Sequence, residues 1–379
     1  MDDFEDIRPY HDAEVGPALE RLTNDPELTS FLGQWLAPSL SSVMPGRVAS
    51  VVSWLLKKKF SSVVDIAGFQ EVISAYAKKL VREGTSEFVY EGFDQLEEGR
   101  AYLFISNHRD IAGDSMLLDY ALYLNGLDTV RIAIGDNLIQ KDFATSLMRL
   151  NKGFFIKRSV QGHKKAYAAL MQSSKYIHQS LGEGQSVWIA QSEGRSKDGL
   201  DVTDPAIVKM LLLADRKKPL AEVVDKLCIM PLSISYEFDP CDVLKAKELG
   251  TFAMEGHYEK PPGEDLISLV RGLTGQKGRV VLRLGSRLTG SFETPDEVAA
   301  AIDYQILKNL ELFPVNYWAL SRVDDPSYRS LSNHFESRLK KSEERFLTER
   351  LRLCPPAYRP YWLEIYANPV MNRNQVLNK

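Results

Sequence analysis

His108 follows directly on the apolar run Tyr102-Leu103-Phe104-Ile105-Ser106 and on Asn107. A strand that stops there sets an imidazole on a sheet edge, facing a cleft. Two carboxylates lie downstream, Asp110 after one intervening residue and Asp114 after five. A carboxylate that accepts from one ring nitrogen fixes the tautomer and leaves the other nitrogen free to act as a base. Taken alone, such a histidine more often decorates a surface or caps a helix.

Three further clusters follow in order. Gly153-Phe154-Phe155-Ile156 ends in Lys157, Arg158 and Ser159, two cations and a hydroxyl at a strand end. A guanidinium there can take a phosphate through two parallel hydrogen bonds, and the bland alternative is a solvated strand end. Ser192 to Gly199 holds Glu193, Gly194, Arg195, Ser196 and Lys197, again after a strand. Gly194 lets a ligand approach the backbone and the cations add positive charge, although the composition also suits a surface turn. Met230-Pro231-Leu232-Ser233-Ile234-Ser235-Tyr236 is an apolar strand that lines an acyl pocket or, by default, fills core. Two look-alikes are excluded. His108-Arg109-Asp110 imitates a kinase catalytic loop, but Ser115 stands where that loop needs Asn, and the glycine-rich loop and Asp-Phe-Gly are absent. Gly113-Asp114-Ser115 imitates a serine hydrolase, but none of the six histidines has Asp three residues before it and no Gly-x-Ser-x-Gly elbow occurs.

The elements that must position these groups read as follows. Residues 1–85 are helical, and within them Phe31 to Phe60 carries an apolar face with Trp35 and Trp54, is broken at Pro38 and Pro45, and ends in Lys57-Lys58-Lys59. That pattern suits a membrane-surface segment (31–60) or, equally, a core helix with a charged end. Residues 86–290 alternate short apolar strands (near 88–90, 102–106, 130–134, 153–157, 186–190, 227–236 and 280–285) with helices at 115–124 and 164–181. This alternation is that of an α/β domain, read as a mixed central sheet flanked by helices. Residues 291–379 return to helix: Thr294-Pro295-Asp296-Glu297 is a capping box, a charge-rich helix runs from Tyr328 to Leu353, and Asn368 to Lys379 read as loose.

Composition narrows the classes. Hydrophobic residues at 44% and charged residues at 26% of 379 describe a globular chain. A net charge of -4 gives no footing for nucleic acid. Three scattered cysteines, Cys228, Cys241 and Cys354, fit a reducing compartment and no metal spacing, and no two histidines are close enough to hold a metal. The acidic start, Met1-Asp2-Asp3-Phe4-Glu5-Asp6, is not a secretory signal, and no apolar run reaches the length of a membrane-spanning helix.

Taken together, from Phe88 to Leu288, the four clusters resemble the four motifs of the glycerol-3-phosphate and lysophosphatidate acyltransferase family: Asn-His with a spaced Asp, Gly-aromatic-Ile-x-Arg, Glu-Gly-x-Arg-Ser, and a Pro-containing apolar strand. Ala133-Ile134-Gly135-Asp136-Asn137-Leu138, Gly153 to Arg158 and Pro231 to Tyr236 favour the glycerol-3-phosphate branch. The resemblance implies a transfer of a fatty acyl group from acyl-CoA or acyl-carrier-protein to a glycerol-phosphate acceptor, in phospholipid synthesis, without a metal or other cofactor. It implies His108 as general base, Asp114 as its holder, and Lys157, Arg158, Glu193, Gly194, Arg195 and Ser196 as substrate-binding residues, with the oxyanion held by amides of the His turn or near Gly194. A site peripheral on the cytoplasmic face of a membrane is implied too. Other outcomes are acylation of a lysophosphatidate or another lysolipid, a non-catalytic lipid-binding relative, and, more distantly, a thioesterase. Two spacings depart from the family. Asp114 comes one residue late, which on a straight helix rotates its carboxylate by about 100°; Gly113 can absorb this as a bulge, or Asp110 can orient the histidine instead. Arg195 follows Gly194 one residue early.

Overall fold

The structure is a computed structural model describing residues 3–136, 141–261, 263–332 and 339–378. Asn137 and Leu138 of the resembling segment, and part of the stretch read as a helix from Tyr328, lie outside the described residues.

In chain order the N-terminal part forms α1 (Asp12–Asn24), α2 (Pro26–Leu36), α3 (Pro38–Val43), α4 (Pro45–Phe60) and α5 (Ile66–Gly84). Strands and helices then alternate: β1 (Glu87–Glu91), β2 (Leu103–Ser106), α6 (Gly113–Leu124), β3 (Arg131–Gly135), α7 (Asp142–Leu150), β4 (Gly153–Ile156), α8 (His163–Gly182), β5 (Val187–Ala190), α9 (Pro205–Leu212), α10 (Leu220–Leu227), β6 (Ile229–Tyr236), α11 (Asp242–Glu255), α12 (Glu264–Thr274) and β7 (Arg279–Leu284). The remainder is helical: α13 (Pro295–Asn309), α14 (Pro314–Leu320), α15 (Pro326–Ser332), α16 (Lys341–Arg352) and α17 (Arg359–Leu377). The chain packs as two units, one of Met1–Ala77 with Val130–Val187, the other of Lys78–Thr129 with Trp188–Lys379.

In the first unit, Pro26, Pro38 and Pro45 each open a helix, where a missing N–H costs nothing. The long apolar stretch is therefore cut at the two prolines read as breaks. Val15, Leu19 and Leu22 of α1 pack with Phe69, Phe143 and Leu150 in a small core. β3 and β4 pair in parallel, from Ile132 opposite Gly153 to Gly135 opposite Ile156. Gly153 has no room for a side chain: a Cβ there would lie 2.6 Å from the Met148 carbonyl oxygen.

The second unit carries the strand order β1-β7-β6-β2-β5. β1 runs parallel to β7, β7 antiparallel to β6, and β6 parallel to β2, so the sheet is mixed. Every residue of β2 is buried, as in a central strand covered on both faces. α11, α14 and α17 gather a second core around Trp318 and Trp362, whose rings meet edge to face at 6.3 Å.

The tail corrects one expectation. Asn368 onward is not loose: α17 continues to Leu377, with Ala367, Pro369 and Val370 buried. Pro369 and the asparagines disguised it in sequence. Asn368 and Asn372 are themselves buried and bond to other segments.

Asp303 of α13 accepts the Thr203 N–H at 2.7 Å, and burial pushes its carboxyl up to about 6. A carboxyl raised on folding disfavours the folded state once both forms are ionised, so stability is lost as pH rises from about 4 through 6. Asp303→Asn keeps the acceptor and removes the charge. Urea unfolding should show the variant equal to the parent near pH 4 and more stable by about 1–3 kcal/mol at pH 7.5. A gap independent of pH would refute this account.

Candidate active site

β2 ends because Asn107 leaves the ladder with its main chain but stays in it with its side chain. Its Nδ2 donates to the Ile234 carbonyl at 2.9 Å and its Oδ1 accepts the Ile234 N–H at 2.8 Å. The buried amide thus replaces one peptide step beside β6, and the backbone turns to present His108. Trp188 donates from its indole to the Ser106 hydroxyl at 2.9 Å, and the imidazole stands against its ring at 5.6 Å.

Asp114, near the start of α6 and fully buried, faces back toward this turn. Its Oδ2 lies 2.7 Å from His108 Nδ1 and also accepts the N–H groups of Arg109 (2.6 Å) and Asp110 (3.0 Å). Its Oδ1 accepts the Tyr236 hydroxyl at 2.7 Å. Burial pushes this carboxyl up, but the His108 bond and charge, with the Asp110 amide and Tyr236, outweigh it and hold it below the usual range. Burial and the neighbouring carboxylates push Tyr236 well above its ordinary value, so it is a neutral donor. An ionised Asp114 only accepts, which puts the imidazole proton on Nδ1. Among the described residues, Nε2 has no partner, and the ring keeps 14% of its side-chain surface exposed.

The extra residue before Asp114 brings no helical rotation, because residues 109–112 precede the helix. Asp110 does not face the imidazole. Its Oδ1 accepts the Ala112 (3.1 Å) and Gly113 (2.9 Å) N–H groups, acting as the cap of α6. The amides of Arg109, Asp110, Ala112 and Gly113 are therefore all spent on carboxylates.

Asp110 is itself enclosed. Burial and the Asp114 charge push its carboxyl up, opposed by the Lys277 ammonium. Lys277, buried, donates to the Gly272 carbonyl and lies 5.9 Å over the Tyr236 ring. α12 approaches Asp110 so closely that only Gly fits at Gly272.

The segment after β5 is tied to the His turn. Ser196 N–H donates to the His108 carbonyl at 2.8 Å. The buried Lys245 ammonium donates to the carbonyls of Arg109 (3.0 Å) and Ser196 (2.8 Å) and pairs with Asp239 at 2.6 Å. Arg109 pairs with the buried Asp201 at 2.5 Å. From behind, Asn368 Nδ2 donates to the Asp198 carbonyl at 2.7 Å and Asn372 Oδ1 accepts the Asp201 N–H at 2.8 Å. Gly199, at φ +83°, is required here, since a Cβ would fall 2.2 Å from the Ile365 carbonyl oxygen. At the outer end Glu193 and Gly194 are exposed and Arg195 half-buried, with Gly194 at φ +75°. The Ser196 hydroxyl bonds to the Leu200 carbonyl.

His108, Asp114, Glu193, Gly194, Arg195 and Ser196 thus share one unit. Lys157 and Arg158 belong to the other, at the end of β4, where Lys157 pairs with Asp6 and Ser159 bonds to Asp136. β6 is buried from Ile229 to Ser235, as core would be. Among the described residues no three His, Cys, Asp or Glu side chains converge to hold a metal. Tyr236, Lys245, Lys277 and Asp201 escaped the sequence reading. Only Tyr236 gave a signal, a polar tip ending an apolar strand that leads back to Asn107.

Gly272→Ala would place a Cβ 1.9 Å from Asp110 Oδ2 and so evict the cap of α6. The unfolding free energy should fall by about 1–3 kcal/mol, whereas Gly182→Ala, whose Cβ meets nothing within 4 Å, should not lower it. Calorimetry showing the two variants alike would contradict the packing.

The acyltransferase family profile matches residues 87–235. Curated relatives include the glycerol-3-phosphate acyltransferases of Baumannia cicadellinicola, 29% identical over 205 residues (51% of this chain, 22% of the relative), and of Pseudomonas paraeruginosa, 29% identical over 221 residues (57% and 25%). The chain spans about a quarter of the length of these relatives. A crystal structure of the 1-acyl-sn-glycerophosphate (LPA) acyltransferase PlsC from Thermotoga maritima aligns with 74% of this chain and 94% of its own, at 16% identity and a TM-score of 0.38. Residues 87–235 thus match an acyltransferase domain, and over about half its length the chain is similar to these glycerol-3-phosphate acyltransferases.

Proposed function

We propose that the protein moves a fatty acyl group from an acyl thioester, acyl-CoA or acyl-carrier-protein, to a hydroxyl of glycerol-3-phosphate. The observation that carries this reading is an imidazole whose Nδ1 is fixed by a buried carboxylate while Nε2 stays open. His108 Nε2 takes the proton of the acceptor hydroxyl as its oxygen attacks the thioester carbonyl. Asp114 stabilises the imidazolium so formed. The tetrahedral intermediate then expels the thiolate, which takes the proton back from His108 and leaves as free thiol. With four amides of the His turn engaged, the backbone near Gly194 is the better source of oxyanion donors, typically worth about 3–4 kcal/mol. Arg195 takes the acceptor phosphate and Glu193 orients it. Lys157 and Arg158, on the other unit, are assigned to phosphate through their motif alone. Ser196 contributes less, its hydroxyl being already engaged.

Incubation with palmitoyl-CoA and glycerol-3-phosphate should release thiol and form lysophosphatidate, and His108→Ala should lower turnover at least about 10³-fold with the fold intact. Undiminished turnover in that variant would defeat the mechanism. A parallel series of lysolipid acceptors fixes the acceptor.

We further propose that the protein works at a cytoplasmic membrane face as a peripheral enzyme. No helix among the described residues is long and apolar enough to cross a membrane. Support comes from α2–α4, where Trp35 is 50%, Val43 75% and Trp54 59% exposed, beside Lys57, Lys58 and Lys59. Co-sedimentation with phosphatidylserine vesicles should weaken roughly fivefold for each of these lysines changed to Gln, at about 1 kcal/mol per charge. Binding that is unchanged in the triple variant would remove the electrostatic part of the proposal.

A further inference from the structure

We infer that Tyr236 is a positioning residue for proton transfer: its hydroxyl fixes and tempers the Asp114 carboxylate, making His108, Asp114 and Tyr236 one hydrogen-bonded chain. The inference rests on the reading of His108 as the base. Tyr236 lies one residue beyond the profile match, which ends at 235.

The geometry separates the two oxygens of Asp114 by task. Oδ2 takes His108 Nδ1 and the two amides of the turn, while Oδ1 takes the Tyr236 hydroxyl at 2.7 Å. Tyr236 is held at both ends. Its backbone lies in the sheet opposite Val280 of β7, and its ring lies under the Lys277 ammonium, which is pinned by the Gly272 carbonyl. Lys277 is buried and Asp110, the other carboxylate nearby, is committed to the cap of α6, so neither can stand in for the phenol. A neutral donor on Oδ1 has two effects. It stops the carboxylate from turning about its Cβ–Cγ bond, which keeps Oδ2 in line with Nδ1. It also spreads part of the negative charge away from Oδ2. The developing imidazolium is then stabilised without giving its Nδ1 proton up to Asp114.

The test uses the full chain with palmitoyl-CoA and glycerol-3-phosphate. Tyr236→Phe removes only the hydroxyl. A lost hydrogen bond to a charged group predicts a fall in kcat of about 10- to 100-fold, with both KM values changed by less than about twofold. The acidic limb of the kcat/KM profile should move to higher pH, because an Asp114 relieved of one donor holds the proton on its partner more firmly. The cost should also depend on the Asp114 charge: in an Asp114→Asn background, Tyr236→Phe should add less than about twofold. That comparison remains decisive if the single variant is less stable, since a purely structural loss recurs in both backgrounds. An equal cost in both backgrounds, or a kcat and acidic limb like the parent's, overturns the inference. His108→Ala separates the two readings. If it retains turnover, the base assignment fails; if it is inactive while Tyr236→Phe is not impaired, only the role of Tyr236 falls.

Discussion

A fully buried carboxylate has to be surrounded by donors or give up its charge, and Asp114 keeps its charge through four of them. Those four come from two places in the chain: the imidazole and two amides of the His turn, and a phenol at the end of β6. Satisfying Asp114 therefore fixes the path of residues 108–110, the start of α6 and the end of the sheet together. The imidazole is oriented as a by-product of solving that desolvation problem.

The same principle recurs around it. Asp110 faces Lys277, Asp239 faces Lys245, Asp201 faces Arg109, and Asp242 faces Arg350 with the Tyr366 hydroxyl. Such buried ionic contacts are weak evidence for net stability, because desolvation offsets much of their attraction. Their value here is geometric. Three of the four join segments far apart in sequence, and Lys245, six residues from its partner Asp239, itself ties the carbonyls of Arg109 and Ser196, so the His turn and the cationic loop are held together.

The strands were legible because each is a short apolar run stopped by a turn residue, and the motif residues were legible because they sit at those stops. β6 begins at Ile229 rather than Leu227, since α10 closes through Cys228 at φ +47°, a turn that sequence signals by Gly far more often than by Cys. Lys245 and Lys277 could not be found this way. A lysine in a helix or loop reads as solvated, and only the fold reveals carbonyls converging on its ammonium. The tail failed for the opposite reason: asparagines and a proline spell a loop in sequence, whereas Asn368 and Asn372 are buried as substitutes for missing backbone partners.

That last bracing has a consequence for how the molecule is made. The carbonyl of Asp198 and the amide of Asp201 find their partners 170 and 171 residues later in the chain. During synthesis at about 5–20 residues per second, the loop emerges roughly 10–30 s before the helix that holds it. For that interval the sheet can form while the cationic loop is held only by its ties to the His turn and to Lys245, without the two asparagines. A ribosome-bound intermediate would carry the imidazole and its carboxylate with the loop at Asp198–Asp201 still lacking those two partners. The last two hydrogen bonds of the loop are thus made only once α17 has been delivered.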